Sequence, residues 1–353
     1  MFDNLLKTSQ KGPILITGHT GFKGSWLSLL LNELGIESYG LSLPPEPQSH
    51  AELVNLEETV PYTYLDIREP ESLSREISRI SPSVIIHMAA QPIVSRAFDH
   101  ISETFETNMN GTMNLIEASR QASSVKSIAV ITTDKVYLNE DANNINHLEE
   151  DYLGAHEPYG LSKVASELVV DAFNTSASNH EERIYTFRSG NVIGGGDTSE
   201  NRLLPQIANN VFSGDKLQIR NLEASRPWQH VLDTLYGYLL GVEFHLQGKY
   251  ERSFNFSPSE MSLTVGEVIE IVKNKYELEY SLNPSATSSA TLENSHLNLH
   301  SGKARELLNW APQFTQEEAV LDTMQWWENI RAREDARKLA TRTIREYLEK
   351  VGQ

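Results

Sequence analysis

At 353 residues and 39.7 kDa the chain exceeds one typical domain, and its length suits two lobes better than a single core. Its 48 acidic against 30 basic side chains leave a net charge of −18, which repels nucleic acid and anionic membranes, so neither is expected as a partner. The absence of cysteine excludes disulfides and thiolate metal sites, and no apolar run approaches the roughly 20 residues that cross a bilayer.

The start, Met1-Phe2-Asp3-Asn4-Leu5-Leu6-Lys7, lacks a basic stretch followed by a long apolar one, so a cytoplasmic address is expected. In chain order, β-branched runs alternate with helical patterns. A strand is predicted over 13–17, a helix near 22–34 ended by Gly35, a strand near 36–42 and another over Tyr62–Leu65. There follow a helix near 70–80, a strand over 83–88, a helix near 97–121, a strand over 126–131, a helix from about 159 and a strand over 184–188. Alternation of this kind predicts an α/β fold with a doubly wound parallel sheet. Phe98, Ile101, Phe105, Met109, Met113 and Ile116 form an apolar stripe at helical spacing, read as core packing, with a dimer seam against the helix from 159 as the second reading.

After Arg188 the rhythm changes at Gly194-Gly195-Gly196-Asp197, where a smaller mixed α/β lobe is expected to begin. The predicted division is 1–190 for the dinucleotide-binding domain, with segments near 226–250 returning to it, and 191–353 mainly for a substrate lobe. Pro284 to Thr291 reads as an exposed loop, and Arg331 to Leu348 as a solvated terminal helix.

Two local patterns carry chemistry. Gly18, Gly21 and Gly24 follow the first strand and open the first helix, so bare backbone can approach a pyrophosphate and the helix amides can face its charge. Tyr159 and Lys163 lie one helical turn apart, which brings an ammonium near a phenol and favours its ionised, proton-accepting form. Thr132-Thr133-Asp134-Lys135 closes the apolar run that precedes that helix. His147, His156, His230 and nearby acids lack a metal-ligand spacing, and no metal is expected.

These motifs, with Asp66-Ile67-Arg68, His87 to Gln91, Asn108 to Leu115 and Arg188 to Val192, resemble the extended short-chain dehydrogenase/reductase superfamily from about Pro13 to Phe314. Within it the pattern is similar to the nucleotide-sugar 4,6-dehydratases. The narrowest likeness, to those acting on CDP-glucose, rests on Gly18 to Trp26, Thr133 to Tyr137, Asn191 to Asp197 and Arg226 to Val231. The resemblance implies NAD, a nucleotide-sugar substrate and a homodimer. It implies that Tyr159 accepts the proton of the sugar 4-hydroxyl with Thr133 bonded to the same oxygen, that Lys163 supports Tyr159, and that Asp134 protonates the departing 6-hydroxyl. Asp134 then needs burial to stay protonated. Lys135 stands where dTDP-glucose relatives carry glutamate, and is read as the base for carbon 5 or as an enolate stabiliser. Gly18, Thr20, Gly21, Phe22, Lys23 and Gly24, with Asp66, Ile67, Ala89, Ala90, Gln91 and Asn108, would contact or frame the cofactor. The acidic ribose partner usual after the second strand is absent, leaving Ser42. Arg96, Asn191, Arg202, Leu203, Arg226, His230 and Asn255 are the implied substrate contacts. A sugar-nucleotide 4-epimerase shares the turn and the Tyr-Lys pair but needs no acid such as Asp134; a binding protein without turnover is the alternative from another class.

Overall fold

The computed structural model describes residues 1–138, 146–176, 183–283 and 298–352, so the segment from Pro284 to Thr291 lies outside the described residues. Seven strands, β1 (Ile14–Thr17), β2 (Ser38–Ser42), β3 (Tyr62–Tyr64), β4 (Val84–His87), β5 (Ser127–Ile131), β6 (Arg183–Ser189) and β7 (Ser253–Phe256), form one parallel sheet in the order β7-β6-β5-β4-β1-β2-β3. The order reverses beside β1, so β1 and β4 diverge toward different connections and open a crevice beyond their carboxyl ends. β1, β4 and β5 are buried along their whole length, as apolar runs covered on both faces must be.

The covering helices are α1 (Phe22–Glu33), α2 (Pro70–Ile80), α3 (Gly111–Arg120) and α4 (Pro158–Ser176). Downstream come α5 (Leu203–Ser213), α6 (Val231–Leu246), α7 (Val265–Lys273), α8 (Gln316–Arg331) and α9 (Ala336–Lys350). α6 is buried along nearly its full length and shares one apolar cluster with α1 and with the Phe187, Phe254 and Phe256 rings of β6 and β7. A separate cluster, with Ile193, Leu204, Ile207, Trp228, Val268 and Met324 among its members, joins α5, α7 and α8.

Two expectations are corrected. The helix near 97–121 is not continuous: it divides into Val94–Asp99, Ile101–Phe105, a π-turn over Glu106–Asn110 and α3, with His100 leaving helical geometry at φ −132° and ψ 56°. The wider π-turn rotates the following face, so the three-and-four spacing no longer holds one stripe inward. Ile116 is buried, whereas Ile101 is 52% and Met113 38% exposed. The terminal segment is likewise more than a solvated helix. α9 begins only at Ala336 and docks on α1 through Leu339, Ile344, Tyr347 and Leu348, while the Tyr347 hydroxyl bonds Asp233 of α6 at 3.0 Å.

Candidate active site

The glycine turn explains itself sterically. Gly18 sits at φ +73°, and a Cβ there would lie 2.7 Å from the Ala89 nitrogen; a Cβ on Gly24 would overlap the Gly18 carbonyl oxygen. Only bare backbone lets α1 start this close to β1 and β4. The turn opens on a cleft of about 1610 Å³ beyond the strand ends, bordered by Gly18, Thr20, Gly21, Phe22, Lys23 and Gly24 on one side. Asp66, Ile67, Ala89, Ala90 and Gln91 border it on the other. This cradle fits a dinucleotide: glycine backbone and the amino end of α1 for the pyrophosphate, small alanines for the ring beside them. Gly24→Ala is expected to cost about 1–3 kcal/mol of stability and to weaken NAD binding by roughly tenfold, read by thermal unfolding and fluorescence titration.

At the end of β2 the Ser42 hydroxyl lies 2.9 Å from His19 Nδ1 and 2.9 Å from the Thr20 hydroxyl, a neutral group where an acidic side chain is usual. Burial pushes His19 down to about 4, so its ring stays uncharged. Asp66 holds Arg68 through both oxygens, and those hydrogen bonds keep its carboxyl below the ordinary range. Asn108 borders neither cleft. Its carboxamide accepts from the Gln91 amide at 2.8 Å and donates to the Gln91 carbonyl and the Ser162 hydroxyl, which makes it a brace for the Gln91 loop.

A second cavity of about 750 Å³ shares Phe22, Lys23 and Arg202 with the first. Thr133, Asp134 and Lys135 enter it from the turn after β5, and Tyr159 from the first turn of α4. Thr133 lies beside the Tyr159 phenol in this cavity and donates to Asp134 Oδ1 at 3.0 Å, so hydroxyl, carboxyl and phenol converge. Asp134 is 2% exposed, which meets the burial its proposed role needs. Gly190 permits this: a Cβ there would stand 3.0 Å from Asp134 Oδ2 and 2.5 Å from Pro227.

Burial pushes the Tyr159 phenol well above its ordinary value; the Thr133 hydrogen bond and the Arg202 charge pull it down, and Asp134 and Glu157 push it up. Lys163 is buried one turn along and donates its Nζ to the Ile131 carbonyl at 3.0 Å; burial pushes it down to about 8, with Glu167 acting in the opposite direction. Lys23 is also buried, its Nζ 3.3 Å from the Tyr238 hydroxyl, and burial together with the Lys163 and Arg202 charges pushes it down to about 7.

Behind these groups lies a pair that sequence reasoning missed. Arg188 of β6 and Glu167 of α4 are fully buried and joined by two 2.8 Å bonds, while Thr132 and Thr186 donate to the same carboxylate at 2.7 and 2.9 Å. Glu167 therefore fixes Thr132, the neighbour of Thr133, from beneath. The signal was a glutamate on the buried face of the helix, four residues after Lys163. Glu167→Ala would leave a buried guanidinium without its carboxylate and is expected to cost about 3–5 kcal/mol, measured by denaturant unfolding.

On the substrate side, Asn191, Arg202, Leu203 and Arg226 border the second cavity. Arg202 stands at the junction of the two clefts and bonds Asp197 at 3.0 Å, and the buried Arg226 donates to the Ser225 carbonyl at 2.8 Å. Three expected contacts are elsewhere. Arg96 borders the first cleft, not the second, and pairs with Glu103 at the surface. His230 caps α6, accepting from the Leu232 amide at 3.2 Å, with its other ring nitrogen 3.0 Å from Asp322. Asn255 accepts from the Tyr137 hydroxyl at 2.7 Å and donates to the His147 carbonyl at 3.0 Å. The latter two are consumed by buried hydrogen bonds and border neither cleft. Among the described residues no cluster of three His, Asp or Glu side chains is placed to hold a metal, and no helix is long and apolar enough to cross a membrane.

Comparison with known proteins agrees with this geometry. The sequence pattern of the NAD dependent epimerase/dehydratase family matches residues 14–256. The chain is 34% identical over 348 residues to the CDP-glucose 4,6-dehydratase of Salmonella typhimurium, covering 95% of this chain and 96% of that one. The solved UDP-glucose 4-epimerase of Thermotoga maritima superposes with a TM-score of 0.79 at 22% identity, covering 90% of this chain and 99% of its own. The dTDP-glucose 4,6-dehydratase of Streptomyces venezuelae, solved with NAD bound, does so at 0.77 and 23% identity, covering 91% of this chain and 98% of its own. On the matched pattern and the near full-length likeness together, the chain belongs to the NAD dependent epimerase/dehydratase family.

Proposed function

We propose that the chain removes water from a nucleotide-activated hexose, converting CDP-glucose to CDP-4-keto-6-deoxyglucose. The observation that carries this reading is the convergence of Thr133, Asp134 and Tyr159 on one cavity that opens into the dinucleotide cleft. Bound NAD supplies a reversible hydride acceptor, held by the glycine turn and the Ala89 to Gln91 edge. Tyr159 takes the proton of the 4-hydroxyl, and Thr133 fixes that oxygen. The resulting carbonyl at carbon 4 acidifies the hydrogen on carbon 5, which Lys135 removes. Asp134 gives its proton to the 6-hydroxyl, which leaves as water, and the 4-keto-6-deoxy product is completed when the hydride taken from carbon 4 returns to carbon 6 and Lys135 gives its proton back to carbon 5. Arg226 and Arg202 are assigned to the pyrophosphate of the substrate, with Asn191 and Leu203 beside them.

The proposal treats residues 1–190, with the α6 region, as the NAD-binding domain and most of 191–353 as the sugar-nucleotide lobe; the shared packing of α6 with β6 and β7 and the separate apolar cluster of α5, α7 and α8 support it. It carries a cytoplasmic address, which cell fractionation tests. A homodimer through α4 and the 101–120 segment is part of it, supported by the exposed Ile101, Met113, Leu161 and Leu168 on elements that pack side by side. Light scattering is expected to give twice the chain mass; the mass of one chain would contradict the dimer.

The reaction itself is tested by incubating purified protein with NAD and CDP-, UDP-, GDP- and dTDP-hexoses. A CDP product lighter by one water, with no net reduced cofactor, is expected. Absence of such a product across the panel would overturn the class, and preference for another nucleotide would overturn the specificity.

A further inference from the structure

We propose that Glu157 is a positioning residue for Tyr159, binding the backbone of the phenol-bearing residue while setting its negative charge beside the reaction cavity. The inference rests on the reading of Tyr159 as proton acceptor. Glu157 is 5% exposed and borders the second cavity. One carboxylate oxygen accepts from the Tyr159 amide at 2.7 Å and the other from the Gly160 amide at 2.6 Å. Serine, threonine and aspartate usually cap a helix through a short arm to one amide. The longer glutamate spans two, and one of them belongs to Tyr159 itself. Gly160 is needed for this fit, since a Cβ there would stand 2.7 Å from Glu157 Oε1 and 2.8 Å from the Lys135 carbonyl.

The charge adds a second consequence. The phenol is faced by Asp134 and Lys135 from the turn after β5, by Arg202 at the head of α5, by Lys23 from α1 and Tyr238 from α6, and by Lys163 on its own helix. In that setting the Glu157 carboxylate opposes formation of the phenolate, while its bonds hold the phenol in place. A neutral side chain of the same length offers one acceptor oxygen and would bind only one of the two amides. Glu157 therefore adds to the pH at which the phenol gives up its proton and becomes an acceptor, beyond fixing where it sits.

Two variants separate the effects. Glu157→Gln removes the charge and keeps the length of the side chain and one acceptor oxygen; it gives up one of the two amide bonds, so a modest fall in kcat accompanies its effect on the pH profile. The acid limb of the pH profile of kcat/KM is expected to move to lower pH by about half to one unit. Glu157→Asp keeps the charge but cannot reach both amides; a several-fold fall in kcat with the limb unmoved is expected. A readout independent of substrate is carbon-13 labelling of the tyrosine ring carbon bonded to oxygen, with the Tyr159 signal identified by its loss in Tyr159→Phe. In Glu157→Gln that signal is expected to begin titrating at lower pH than in the parent protein. An unmoved Tyr159 signal in folded Glu157→Gln, or an acid limb displaced in Glu157→Asp, overturns the proposal. If the NMR shift appears but no nucleotide sugar is turned over, the Glu157 assignment stands and the substrate reading fails.

Discussion

Tyr159→Phe is expected to lower turnover of the nucleotide sugar by about 10³- to 10⁴-fold, the upper part of the range for losing a positioned proton acceptor. The substitution removes one oxygen from a buried ring already held by the first turn of α4, so the fold and NAD affinity are expected to change little. Thr133 retains its bond to Asp134 Oδ1 at 3.0 Å, which keeps the turn after β5 in place. The measurement is stopped-flow absorbance of the reduced cofactor after mixing with substrate, together with an NAD titration. A loss below tenfold would remove Tyr159 from proton transfer, whatever the fold.

Asp134→Asn is expected to uncouple the reaction. A carboxamide cannot give up a proton to the 6-hydroxyl, so overall dehydration is expected to fall by about 10³- to 10⁴-fold. The steps before water leaves depend on Tyr159, Thr133 and Lys135, and should persist. In deuterated water the variant is expected to exchange the carbon-5 hydrogen of the bound sugar while releasing almost no dehydrated product. The close approach of Gly190 makes asparagine the proper replacement, because it matches aspartate in volume where a larger side chain would crowd that backbone. Equal loss of carbon-5 exchange and of dehydration would place Asp134 before the elimination and contradict the assignment.

The parts of this architecture legible in the sequence are those fixed by local chemistry. The buried strands read clearly because both faces of a parallel sheet are covered, so β1, β4 and β5 appear as unbroken apolar runs. The glycine turn is legible because its residues are close in the chain, and Gly18 and Gly24 are each required by a contact that a Cβ would destroy. Tyr159 and Asp134 were recoverable from their places on α4 and after β5, and the resemblance brought them together.

What was not legible depends on partners far along the chain. His230 and Asn255 sit in motifs that look functional, yet their side chains are taken by Asp322 and Tyr137, 92 and 118 residues away. Arg96 sits on the short helix Val94–Asp99, bordering the first cleft and paired with Glu103, a partner beyond the break at His100 that no residue spacing announces. Glu157 precedes a proline and resembles an ordinary surface acid until its two amide bonds are seen. Charge patterns report side-chain type, whereas burial decides which charges become part of a site.

The central claim is that one hexose is oxidised, dehydrated and reduced again without leaving the space between Tyr159 and Asp134. Its most direct test is conversion of CDP-glucose carrying deuterium at carbon 4, in ordinary water with NAD present, followed by mass spectrometry and NMR of the product. The account predicts that the label is retained and found on carbon 6 of CDP-4-keto-6-deoxyglucose. Label returned to carbon 4 of an intact hexose, or lost to solvent, would contradict it.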